Sequence, residues 1–180
     1  MKAGSSDGFT LLEVVVSLAI LAALLLSLPQ ALLHAARAAA AARRTVQASV
    51  LASEKLEQLR GLAWGYDESG GRVEDTQSDV SRSPVDATGG TGLSPAPGDS
   101  LDSDVPGFVD YLDAEGRWLA PGASPGDVAF VRRWSVDATP DAPAETLLLR
   151  VRVLAVAGTS GGRGLVEAAR VATLKSRRPR

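Results

Sequence analysis

The sequence predicts an α+β protein: a long N-terminal helix, apolar in its first half and amphipathic in its second, packed on a C-terminal antiparallel sheet of three to four strands. Three observations carry that expectation. From Phe9 to Leu28 the chain is apolar over 20 residues with one charge, Glu13, and at about 1.5 Å per residue such a helix spans roughly the 30 Å of a bilayer core. From Val46 onward, Leu51, Ala52, Leu56, Leu59, Leu62 and Ala63 fall on one helical stripe. From Phe108 to Leu174 apolar residues alternate with polar ones at the period of a half-buried strand.

The helix has a breaker inside it. Pro29 removes a backbone donor and is expected to kink or loosen the rod locally. Beyond it, Ala31 to Ala42 is alanine-rich, with His34 and Arg37, and has high helical propensity. Small side chains there let neighbouring helices approach closely. Lys55 intrudes on the apolar stripe of the second half, and its head is expected to snorkel outward to water. The helix is expected to end between Gly61 and Gly65.

The expected organisation is a leader over 1–8, a membrane and assembly helix over 9–28, the rest of the helix over 29–64, a variable loop over 65–107, a sheet domain over 108–175 and a basic tail over 176–180. The loop contains Gly70-Gly71 and Gly89-Gly90, with few apolar residues to order it and room for one short strand. The strands are Phe108 to Leu112, Val128 to Val136, Leu147 to Leu154 and Leu165 to Leu174, the last two joined by a glycine turn from Gly158 to Gly164. One sheet face covers the helix and the other meets solvent. Trp64, Trp118 and Trp134 are expected as core or helix–sheet anchors.

Composition excludes several classes. There are no cysteines, so neither disulfides nor thiolate metal sites can stabilise the fold. The formal charge of -2 gives the body of the chain no attraction for a polyanion. A single histidine, no cysteine and no glycine-rich phosphate loop between strand and helix leave nothing to build a catalytic site on, so the chain is not expected to be an enzyme.

Glu13 is the informative residue, because a carboxylate in hydrocarbon costs at least about 2.5 kcal/mol and such groups usually have a partner and a role. The stretch Gly8-Phe9-Thr10-Leu11-Leu12-Glu13-Val14 resembles the processing site of type IV prepilins and of the pseudopilins of type II secretion. The resemblance implies that a membrane peptidase cuts between Gly8 and Phe9, that the new amine on Phe9 is methylated, and that Glu13 is the retained glutamate at the fifth mature position. The physical reading agrees: a free ammonium on Phe9 needs an anion, and Glu13 of a neighbouring subunit can neutralise it. The segment Ala52 to Arg60 is similar to that of minor pilins and minor pseudopilins. The resemblance further implies the pilin fold, a non-catalytic subunit of a type IV pilus or type II secretion filament, and a single-pass inner-membrane protein with a periplasmic C-terminal domain. Its partners are other pilin or pseudopilin subunits, the prepilin peptidase and methyltransferase, and the membrane.

The same residues admit other readings. Ala36-Arg37-Ala38 offers a small-x-small site for an ordinary secretory signal, and a plain anchor explains the length of the apolar run, but neither gives a reason for Glu13. An exported or anchored ligand-binding domain is the rival class. Asp99, Asp102 and Asp104, with Asp110 and Asp113 nearby, are candidate calcium ligands, although their spacing fits no EF-hand and a solvated acidic loop is the simpler reading. No other cofactor is expected. Lys175, Arg177, Arg178 and Arg180 form a basic end that reads as a soluble tail, with DNA binding by a competence-type subunit as its alternative.

Overall fold

The computed structural model describes residues 10–81, 89–120, 122–159 and 162–177. The chain falls into two units, Met1–Arg43 and Arg44–Arg180. Its elements are helix α1 (Leu11–Gly61) followed by strands β1 (Trp64–Tyr66), β2 (Arg72–Glu74), β3 (Val109–Leu112), β4 (Phe130–Ala138), β5 (Thr146–Thr159) and β6 (Gly162–Ser176). β1 and β2 pair as a small hairpin, and the other four form one antiparallel sheet in the order β3-β4-β5-β6. This is the expected α+β architecture, with the sheet at the upper end of the expected strand number.

α1 runs through Pro29 without interruption. The proline removes one hydrogen bond from the ladder and does not end the helix. The helix stops at Gly61 with Arg60 in its last turn, a favourable place for a cation against the exposed carbonyls. The Lys175 ammonium reaches from β6 to the Arg60 carbonyl at 2.5 Å, closing one of those carbonyls.

The core of the second unit lies between α1 and one face of the sheet. Ala48, Leu51, Ala52, Leu56 and Leu59 of the helix meet Trp134, Leu149, Val151 and Val153, with Phe108, Leu112 and Phe130 completing the cluster. The spacing of the helical members is the i, i+3, i+4 spacing of one face. Trp64 and Trp134 are in this core and Trp118 packs against it, as expected.

Three expectations are corrected. Lys55 does not snorkel: its side chain is 1 % exposed, because a carboxylate waits for it inside the core. The second sheet face does not simply meet solvent. Val131, Arg133 and Ser135 of β4 are buried on it, because the 101–104 segment lies over the strand, its Asp104 carboxylate and Asp102 carbonyl both accepting from the Arg133 guanidinium. The basic end is not a free tail at Arg177, which is buried; Arg178 and Arg180 lie outside the described residues.

The 65–107 segment is also better anchored than its composition suggests. Val80 and Leu93 are in the core and Leu101 is buried. Its backbone is held by local carboxylates: Asp67 Oδ1 accepts from the Ser69 and Gly71 amides, and Asp75 Oδ1 from those of Gln77 and Ser78. Residues 75–78 bond to 90–93, through Gly90 N to Gln77 O and Leu93 N to Asp75 O. Gly90 is required at this crossing, since a Cβ there would stand 2.1 Å from the Asp79 Cα.

Candidate assembly segment and its supporting core

α1 begins one residue after Thr10, whose hydroxyl accepts a hydrogen bond from the Glu13 amide at 3.4 Å, with the Thr10 carbonyl accepting the Glu13 and Val14 amides. Thr10 is therefore the N-cap, and Glu13 stands at the third helical position, where a carboxylate also faces the positive end of the helix dipole. The residues that follow are apolar on every side and exposed: Leu11, Leu18, Ile20, Leu21, Leu24 and Leu25 each keep half or more of their surface. None of the 18-residue apolar window is buried within the chain, and α1 is long and apolar enough to cross a membrane. Gly8 and Phe9, the expected processing positions, lie outside the described residues.

The most unusual chemistry in the second unit is a buried charge cluster. Lys55 Nζ stands 2.8 Å from Asp110 Oδ2. Arg132 forks onto the same oxygen through Nε and one terminal nitrogen, at 2.9 and 2.7 Å, and its other terminal nitrogen donates to the Leu51 carbonyl. Lys55 also donates to the Val80 carbonyl and sits 4.3 Å above the Trp134 ring. The cluster holds two cations and one buried anion, with Glu54 3.5 Å from Arg132 at the half-exposed rim. Burial pulls the Lys55 ammonium down from its ordinary 10.5 to about 8, against the opposing attraction of Asp110. The geometry of the cluster ties together α1, the 75–93 loop, β3 and β4.

No single residue of this cluster signals it in the sequence. Each of the three charges, however, occupies a core-facing position of its own element: Lys55 in the helical stripe, Asp110 between Phe108 and Leu112, Arg132 between Phe130 and Trp134.

The candidate calcium residues are placed apart in function. Asp102 pairs with Arg152 at 2.6 Å, Asp104 with Arg133 at 2.8 Å, and Asp99 accepts from the Ser103 hydroxyl at 2.7 Å. Among the described residues no three acidic, histidine or cysteine side chains form a group that could hold a metal ion. His34 is exposed on α1.

Sequence reasoning also missed the role of Arg177. Its guanidinium lies 3.8 Å over the Trp64 ring, bonds to Glu74 at 2.6 Å and donates to the carbonyls of Ala144 and Gly65. A C-terminal residue thereby clasps the β1–β2 hairpin. The only sequence signal was an arginine directly after a long strand.

Residues 5–29 match the prokaryotic N-terminal methylation motif. No curated protein and no solved structure matches the chain. The matched residues hold the Thr10 cap, Glu13 and the exposed apolar helix, and together with the helix-on-sheet fold they support a type IV pilin-like protein.

Proposed function

We propose that this chain is a minor pilin or minor pseudopilin, a non-catalytic subunit of a type IV pilus or type II secretion filament. The observation that carries the reading is the methylation motif over 5–29 placed on a helix whose 18-residue apolar window is not buried by the rest of the chain. Such a surface needs lipid before assembly and neighbouring helices after it.

In this reading the chain sits in the inner membrane with its C-terminal domain in the periplasm. The peptidase cuts between Gly8 and Phe9, the Phe9 amine is methylated, and the subunit leaves the membrane by packing its apolar helix among those of other subunits. Glu13 serves as the counter-ion for a neighbour's N-terminal ammonium, removing two unpaired buried charges in one contact. No cofactor enters this function. The absence of cysteines and the loop-rich 65–107 segment favour a minor over a major subunit.

Gly8→Glu tests the reading: the variant should accumulate at precursor mass in the membrane fraction. Recovery of a chain starting at Phe9 from that variant would contradict it.

A further inference from the structure

The two edges of the four-stranded sheet are treated differently. At the β3 edge the chain folds back on itself, with Leu119 N bonding to Tyr111 O and Leu112 bridged to Trp118. At the other edge, the 15-residue β6 pairs among the described residues with β5 alone. It has no proline, and Leu165, Val166 and Leu174 on it are 46, 54 and 61 % exposed. A long edge strand presents a row of unpaired backbone groups that can template strand addition.

We infer that β6 is an interaction edge for a second copy of this chain, pairing antiparallel with the same strand across a two-fold axis at Ala169. The charges along β6 select both the partner and the register. Ala168 is the extra residue of a bulge, since Val153 opposes Ala169 and Leu154 opposes Glu167. Glu167 and Arg170 therefore stand on the same sheet face, one step to either side of Ala169, and both approach Arg152 or each other there. Centring the two-fold on Ala169 places Glu167 of each copy opposite Arg170 of the other, making two opposite-charge cross-strand pairs. The same register sets Val166 opposite Val171 and Leu165 opposite Ala172, and it uses nearly the whole strand. Centring on Arg170 instead would oppose two arginines. The folded-back β3 edge blocks β3-to-β6 chaining, so the contact closes as an isologous dimer.

This inference rests on the sheet alone and not on the N-terminal segment. It is tested in the full chain, in detergent and in native membranes, where the lack of native cysteines makes introduced ones unique. Directly opposed residues have Cα atoms about 5 Å apart, within disulfide reach, whereas Ala172 of one copy lies about 20 Å from Ala172 of the other. Under mild oxidation the Leu165→Cys/Ala172→Cys variant is expected to form a disulfide-linked dimer, and Ala172→Cys alone at least tenfold less. Adding Glu167→Arg should abolish the cross-link, and adding Arg170→Glu as well should restore it. No dimer from the double cysteine variant, equal dimer from Ala172→Cys alone, or cross-linking to a different protein in membranes would each overturn the inference.

Discussion

Lys55 of α1 and Asp110 of β3 form an ion pair at 2.8 Å in which each side chain is 1 % exposed. Asp110 also carries the Arg132 fork, so one carboxylate neutralises two buried cations. Removing it leaves Lys55 without a carboxylate and Arg132 with only the half-exposed Glu54, and breaking a buried pair in this way costs about 3 to 5 kcal/mol. Asp110→Ala is therefore expected to lose that much stability in urea unfolding. Lys55→Met keeps the Asp110–Arg132 pair and fills the same space, so its loss should stay under about 2 kcal/mol. Equal losses in the two variants would show that the carboxylate does not hold the cluster together.

The same lysine gives the fold a pH dependence of definite sign. Its ammonium has been pulled down to about 8 in the folded state, from 10.5. Between those values the unfolded chain holds a proton that the folded chain has released, so stability rises with pH through this window. The penalty of keeping the charge buried is present in full below about 8. The gain is at most about 3 kcal/mol. Unfolding free energy of the wild-type protein, relative to that of Lys55→Met, should increase between about pH 7.5 and about pH 10; an unchanged difference contradicts the assignment.

Arg177 closes the C-terminal end against the first hairpin, in a chain without disulfides. Arg177→Ala forfeits charge-assisted bonds and a stacked cation, together about 2 to 4 kcal/mol. Arg177→Lys keeps the charge but not the planar fork, and should recover less than half of that loss. Thermal unfolding of the two variants checks the order.

At Gly90 a methyl group would meet the Asp79 backbone at 2.1 Å. Gly90→Ala should cost about 1 to 3 kcal/mol and loosen the 75–93 crossing. Faster amide exchange at Leu93, whose amide bonds to Asp75 O, is the local readout.

The helix, the sheet and the N-terminal methylation motif were legible because each rests on periodicity or on a local pattern: 3.6 for α1, 2 for β3 to β6, and a short run of residues for the motif over 5–29. What escaped was long-range. Lys55, read on its helix alone, looked like an intrusion that must reach water; Asp110, 55 positions along the chain, together with the Val80 carbonyl and the Trp134 ring, makes its burial tolerable. Arg133 and Asp104 likewise cover a sheet face that alternation alone assigns to solvent. Arg177 looked like a tail residue because its partners Trp64 and Glu74 lie more than a hundred residues away. Charge pairing between distant segments has no period to read.

Glu13 should be dispensable for membrane insertion and needed for assembly. In Glu13→Ala the apolar helix is, if anything, easier to insert, since a carboxylate has left the hydrocarbon. Membrane levels are expected to match wild type, while the amount in sheared filaments falls severalfold. Normal incorporation would remove Glu13 from the assembly mechanism.

The most direct measurement is the mass of the N-terminal peptide of the mature protein from its native membrane or filament fraction. The expected result is a chain beginning at Phe9 with one methyl group on its amine. A mature chain that begins at Ala39, or one that retains Met1, would contradict the filament reading.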